Sequence, residues 1–430
     1  MEFKDLTDAL ARRSQTLTSV EGLAPFLESI ADKKLVMLGE SSHGTDEFYS
    51  WRREISLELI RNHGFQFIAV EGDWPSCQGI GRYVRDEGTN AIAAMTGFTR
   101  WPTWMWANSQ VLTLMDDLLD HNRMTGEKVG FHGLDVYSLY DSLDEVIRGL
   151  SLLDPALADR ARELYACFEP YRHDERAYLH SLYRVPEGCK TQVMKALTEI
   201  LESKLSDGDE VFAIEQNARI VRNAENYYRA MISHNDDSWN VRDRHMLETL
   251  DLLLRHYGPD AKGIVWAHNT HIGDYRATDM AIRGNVNIGG LAREKYGEEA
   301  VALVGFSTYS GSVIASSHWD GPIEVMPVPV GIPGSLESAF HATTRELEGS
   351  TLFADLRGLE GGPLLEAIGH RAIGVVYDPH RERWGNYVTT IPAKRYDAMI
   401  FCDETHALAP LNVKFMREKI PETFPYGKRI

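Results

Sequence analysis

Short apolar runs recur along this chain, and several of them stop abruptly at polar residues. The runs are 35–39 (LVMLG), 65–71 (FQFIAVE), 129–135 (VGFHGLD), 263–268 (GIVWAH), 300–306 (AVALVGF), 373–377 (IGVVY) and 398–402 (AMIFC). Each is too short for a buried helix and long enough for a strand that is covered on both faces. Helical patterns over 45–63 and 107–122 separate the early runs. Strands alternating with helices predict an α/β fold with a mostly parallel central sheet flanked by helices. The polar strand ends are Gly39-Glu40, Glu71-Gly72-Asp73, Gly133-Leu134-Asp135 and Ala267-His268-Asn269. Ligands of open α/β sheets gather beyond the carboxyl ends of the strands, so the chemistry belongs in these loops.

Between about residue 139 and residue 256 the strand signal disappears. Helical periodicity replaces it, as in 211–232, where Asn217, Val221, Ala224, Tyr228 and Met231 recur every three or four positions. This stretch reads as a long all-helical insertion that forms one wall of a cleft over the sheet. Pro170-Tyr171-Arg172-His173 and Val185-Pro186-Glu187-Gly188 read as turns within it. A length of 430 residues suggests two or three domains by size alone. With no repeat or low-complexity tract, one catalytic unit over 1–430 with a helical subdomain at 139–256 fits better.

The charge balance removes several classes of partner. Lys and Arg number 45 against 63 Asp and Glu, a formal charge of −18. That argues against duplex nucleic acid and anionic membranes, which need a cationic surface. Cys77, Cys167, Cys189 and Cys402 are far apart and form no C-x-x-C pair. Neither a zinc knuckle nor a disulfide framework is expected. No run approaches the roughly 20 apolar residues of a spanning helix, and MEFKDLTDALARRSQ lacks a signal peptide's apolar core. The expectation is a soluble, cytoplasmic protein whose oligomeric state the sequence does not reveal.

Three clusters carry chemistry. The first is Gly39-Glu40-Ser41-Ser42-His43-Gly44-Thr45, leaving a strand and entering a helix. A carboxylate three residues from an imidazole can fix its tautomer and raise its basicity, which suits a general base acting on water. Gly39 and Gly44 are expected to supply unusual backbone angles. The plainer alternative is that Ser42 or Thr45 only caps the next helix, which leaves His43 unexplained. In that helix Phe48, Trp51, Ile55 and Leu59 form an apolar stripe, with Arg52 on its edge and Arg53 pointing away. A half-buried guanidinium needs an anion, and Glu40, Glu71 or a substrate oxyanion are candidates. The alternative is an arginine that snorkels to solvent.

The second cluster is Glu71-Gly72-Asp73-Trp74-Pro75, where Asp73 suits a helix cap ahead of Pro75 and Glu71 is left for the cleft. The third is Trp266-Ala267-His268-Asn269-Thr270-His271-Ile272-Gly273-Asp274. Its two histidines, three apart, can converge if a helical turn starts there. Glu40, His43, His268 and His271 could bind a divalent metal or, equally, supply a base and donors for metal-free hydrolysis. Trp101, Trp104 and Trp106 lie within six residues. They could wall a substrate site or, as aromatic clusters more often do, fill the core.

The turn at Glu40–His43 has His where a nucleophile elbow needs its second Gly. There is no Walker loop, H-E-x-x-H helix or G-x-G-x-x-G after the first strand. The segments LGESSHGTDEFYSWRREI, FIAVEGDWP, VWAHNTHIGD, RWGNYV and RYDAMIFCDETHALAPL together resemble the erythromycin esterase family. Some of its relatives carry the name succinoglycan biosynthesis protein. The resemblance implies a hydrolase that opens the macrolactone ester of macrolide antibiotics, a resistance activity, through activated water rather than a covalent serine. It implies that the essential histidine base is His43 and its partner acid Glu40. It further implies site roles for Arg52, Glu71, His268 and His271.

The expected function is therefore a carboxylic ester hydrolase acting on a small-molecule ester or lactone, with no cofactor. Its rivals are a metal-dependent hydrolase using Glu40, His43, His268 and His271, and a non-catalytic binder of a hydrophobic or glycosylated molecule.

Overall fold

A computed structural model describes residues 2–88, 90–172, 175–203, 205–206, 208–232 and 237–411. Among them the strands are β1 (Ser14–Thr16), β2 (Leu35–Leu38), β3 (Phe67–Asp73), β4 (Gly130–Asp135), β5 (Gly263–Trp266), β6 (Val301–Ser316), β7 (Ile323–Val328), β8 (Thr351–Asp355), β9 (Ile368–Arg371), β10 (Tyr387–Thr390) and β11 (Ala398–Thr405). Nine form one sheet in the order β1-β8-β11-β6-β2-β5-β3-β4, with β7 added on β6, while β9 and β10 make a separate hairpin. The strands from β11 to β4 run parallel, β8 and β7 run against them, and β1, antiparallel to β8, runs with them. The mostly parallel sheet flanked by helices is the architecture that the alternating pattern predicts.

The apolar runs divide between two cores by their period of two. Val36, Leu38, Ile68, Val70, Ile264 and Trp266 face one core. Leu35, Met37, Phe67, Ala69 and Val265 face the other. Burial on both faces explains why these strands read as continuous apolar runs rather than alternating ones.

Ile373–Tyr377 departs from expectation. It makes only isolated bridges, Ile373 to Ser42 and Val376 to Ser316. Ile373 and Tyr377 are buried for another reason, in a small cluster with Val313, Ala315, Met326 and Val328 beneath the β6–β7 ribbon.

The order of the strands positions the site. From β2 the chain runs through the helix Asp46–His63 into β3, two places along, and then into β4. Between β4 and β5 the described residues are helical, with helices Leu139–Leu153, Pro155–Tyr165, Glu175–Leu182, Lys190–Leu201, Asp209–Ile232 and Asp237–Tyr257. They have a hydrophobic cluster of their own, built on residues such as Leu143, Leu164, Leu197 and Val221. Val185–Gly188 is a turn, Pro170 and Tyr171 fall in a 3-10 turn, and His173 lies outside the described residues. The chain then returns with β5 in the gap between β2 and β3, bringing three strand ends side by side.

A disulfide joins Cys167 to Cys189 (Cα–Cα 5.9 Å), against the sequence expectation. A single bridge depends on proximity in space, which cysteine spacing does not reveal. No helix of the described residues is long and apolar enough to cross a membrane.

Candidate active site

Glu40 emerges from β2 fully buried and uses both oxygens. His43 Nδ1 donates to Oε1 (2.9 Å), and Arg52 Nη2 donates to Oε2 (2.6 Å). The guanidinium of Arg52 lies over the rings of Tyr49 (4.4 Å) and Trp266 (4.7 Å), so it is held by cation–π contacts as well as by its ion pair. Of the three partners proposed for Arg52, Glu40 is the one engaged. With Nδ1 committed to Glu40, His43 keeps Nε2 as its basic nitrogen. His43 is 7% exposed where Glu40 and Arg52 have no exposure, so the imidazole is the group a reactant can reach.

The turn is tight for a reason other than the one expected. Neither Gly39 nor Gly44 has a positive φ. A Cβ at Gly39 would meet Asn269 Oδ1 at 2.1 Å, and one at Gly44 would meet the Ile314 carbonyl at 2.0 Å. Both glycines serve close approach of the chain. Thr45 stands at the helix N-cap without capping through its side chain, because its hydroxyl bonds to that of Ser42. Asp73 likewise occupies an N-cap position while its carboxylate takes Arg100 Nε (2.8 Å).

The two later histidines separate rather than converge. His268 caps the short helix Asn269–Ile272, its Nδ1 accepting the Thr270 N–H (3.2 Å). Its proton therefore resides on Nε2, a buried atom that leans towards the Ser41 carbonyl without a well-formed hydrogen bond. The ring packs at 4.9 Å from that of His43. Burial, reinforced by His43, pushes the pKa of His268 well below the ordinary imidazole range, so this ring is a neutral N–H donor.

His271 turns the other way. Its Nδ1 donates to Asp243 Oδ1 (2.9 Å), and its Nε2 lies 3.3 Å from Glu71 Oε1. Trp239 stacks on its ring at 4.5 Å. Burial opposes its charge, yet the Asp243 and Glu71 carboxylates outweigh burial and raise the pKa to about 9.

Glu71 links these parts. Its Oε2 accepts the main-chain N–H of His268 (2.8 Å), and its Oε1 accepts from Arg242 Nη2 (2.6 Å). Burial would raise its pKa, but His271 and Arg242 hold it well below the usual carboxylate range. Arg242 also grips Asp135 at the end of β4 through Nε (2.9 Å) and Nη2 (2.6 Å).

Arg242, Asp243 and Trp239 were not singled out from sequence. A usable signal existed, since Trp239, Asp243, Met246, Leu250 and Leu253 recur every three or four residues. An aspartate on an apolar stripe is a buried charge in want of a partner.

The four residues considered for a metal do not form one donor set. Both Glu40 oxygens and His268 Nδ1 are already engaged, and His271 faces Asp243. Among the described residues no group of three or more His, Cys, Asp or Glu side chains could hold a metal ion. The tryptophans do not wall the site either. Trp101, Trp104 and Trp106 are 1–3% exposed, and Trp106 Nε1 donates to the Glu71 carbonyl (3.0 Å). They belong to the interior, where apolar burial outweighs a surface role.

The erythromycin esterase family model matches residues 60–405. The chain belongs to the erythromycin esterase family. Membership supports a hydrolase. Erythromycin esterase type II of Escherichia coli is 22% identical over 326 residues, covering 68% of this chain and 73% of its own length. The Bacillus subtilis protein YbfO, which carries a provisional hydrolase name, is 22% identical over 396 residues, 86% of this chain and 83% of its own. A crystal structure of a succinoglycan biosynthesis protein shares the fold with a TM-score of 0.78 at 18% identity, over 94% of this chain and 98% of that one. A mutant of the erythromycin esterase EreC in its open conformation gives a TM-score of 0.64 at 16% identity, over 91% and 98%.

Proposed function

We propose that this member of the family hydrolyses a carboxylic ester or lactone with water activated by His43. The observation that carries the reading is the Glu40 bridge, which orients the His43 ring through Nδ1 and balances its own charge on Arg52. In this reading His43 Nε2 takes a proton from water, whose oxygen attacks the carbonyl carbon. The oxyanion that forms accepts the Nε2–H of His268, a neutral, pre-positioned donor. Collapse breaks the acyl–oxygen bond, and the His43 imidazolium returns its proton to the leaving alkoxide. One water is consumed, and an acid and an alcohol result.

Ser41 and Ser42 share the turn but are at most 1% exposed, which supports water rather than serine as the nucleophile. The reading requires no cofactor. Macrolide lactones are the first substrates to try, since the E. coli relative is an erythromycin esterase.

The test incubates wild type and His43→Gln with erythromycin, acylated sugars and a simple aryl ester, and reads the gain of one water by mass spectrometry. Turnover by wild type that survives exhaustive chelation and is lost in folded His43→Gln is expected. Near-wild-type turnover by the variant overturns the base assignment. Saturable binding with no chemical change for any substrate makes the protein a binder.

A further inference from the structure

The helical insertion contributes charged residues to the hydrolytic centre. Arg242 and Asp243 are consecutive on the helix Asp237–Tyr257, and both point at the carboxyl end of the sheet. Arg242 faces Glu71 from β3, Asp135 from β4, Tyr137 just after β4 (4.8 Å to the ring centroid), and His271 beyond β5 (Nη1 to Nε2, 3.0 Å). Tyr227 of the helix Asp209–Ile232 packs against Tyr137 and also feels its charge. Asp243 faces His271 and accepts the N–H of Ile288 (2.9 Å).

Three buried carboxylates, Glu71, Asp135 and Asp243, therefore converge on one guanidinium and one imidazole. Without Arg242, Glu71 and Asp135 would be left as like charges in a low-dielectric site. Arg242 is itself the link between them, because its planar fork spans Asp135 with two nitrogens and shares Nη2 with Glu71. From Glu71 the chain of contacts runs through the His268 N–H to the ring packed on His43. Nothing in this chain brings Arg242 into contact with His43 itself.

We propose that Arg242 is a positioning residue supplied by the insertion, which fixes Glu71 and through it the turn that aims His268 at the reaction centre. The proposal rests on the reading of His43 as base and His268 as donor. It assigns the insertion a part in the chemistry, with Asp135 as the anchor of the guanidinium and Asp243 as the group that keeps His271 in register beside it. A lysine in place of Arg242 keeps the charge but loses the fork, so it cannot hold Asp135 and Glu71 in one geometry.

The test measures kcat, KM and the pH–rate profile of Arg242→Lys and Arg242→Gln against wild type, with folding checked by circular dichroism. Misplacement of the donor is expected to lower kcat by up to about 100-fold with KM little changed. Removing a cation raises the proton affinity of every neighbouring group, so the acidic limb of the Arg242→Gln profile is expected to move to higher pH. Arg242→Lys should recover the limb but not kcat. A folded variant with wild-type kcat and an unmoved limb overturns the proposal, as does a rise in KM at constant kcat, which would put Arg242 on the substrate.

Asp135→Asn, which removes the anchor of the guanidinium, carries the kcat and KM measurements if the Arg242 variants do not fold, and its lost anion is expected to move the acidic limb to lower pH instead. Histidine Cε1–H resonances in the free protein give a readout that needs no turnover, and Arg242→Gln is expected to move those of His268 and His271. If wild type hydrolyses nothing, the base reading fails while these spectra still decide Arg242: unmoved resonances reject the proposal.

Discussion

Glu40 and Arg52 form a fully buried ion pair at 2.6 Å, with the guanidinium against two aromatic rings and the second carboxylate oxygen on His43. Arg52 thus faces one carboxylate oxygen of Glu40 in a dry interior while the other orients the imidazole.

Breaking that pair from either side should be felt in both stability and turnover. Arg52→Met leaves Glu40 as an unpaired buried charge, a change that costs about 3–5 kcal/mol. Glu40→Gln keeps the shape but loses the charge, and is expected to lower turnover by at least about 100-fold, the low end of general-base contributions. Urea titration and ester hydrolysis check the two variants separately. A Glu40→Gln enzyme of wild-type rate would remove Glu40 from the mechanism.

His271 makes the stability depend on alkaline pH. Its pKa is about 9 in the folded chain against an ordinary 6.5, because Asp243 and Glu71 outweigh burial. A pKa raised by folding contributes stability that is complete below about 6.5 and is lost as pH rises through about 9. Thermal midpoints between those limits should fall more steeply for wild type than for His271→Gln. Parallel curves would show that His271 is neutral in the folded protein.

The Cys167–Cys189 bridge closes a separation of 22 residues within the insertion. Reduction, or a Cys167→Ser/Cys189→Ser variant, is expected to lower the unfolding free energy by about 2–4 kcal/mol. Thiol titration in denaturant should find two free thiols, Cys77 and Cys402, before reduction and all four afterwards. Four thiols in the unreduced protein would show the bridge to be absent.

The parts of the site legible in the sequence are those in which chemistry and period coincide. Glu40 and His43 stand three apart at a strand end, and Arg52 breaks an apolar stripe, so each carries its own signal. Their partners became visible only with the tertiary structure. Asp135 was one polar strand end among several, and Arg242 lies in a region with no motif, about 170 residues from Glu71 in sequence. The tryptophans, which the sequence leaves open between a substrate wall and the core, carry the same ambiguity as 373–377. An apolar run reports burial, but it does not say whether the partner is a sheet, a small cluster or a ligand. For the sheet as a whole that ambiguity mattered little, because strands buried on both faces have few other places to go.

The insertion of β5 between β2 and β3 also bears on how the protein is made. His43 and Glu71 are synthesised early, yet the slot between their strands stays open until residues 263–266 emerge. A nascent chain therefore carries buried-type strands, with Glu71 and Asp135 still without Arg242, through most of the translation of the insertion. Closing so distant a pairing is entropically slow. The β2–β5–β3 centre of the sheet thus waits on residues 263–266, and its extension through β6 and β11 waits on chain that follows later still.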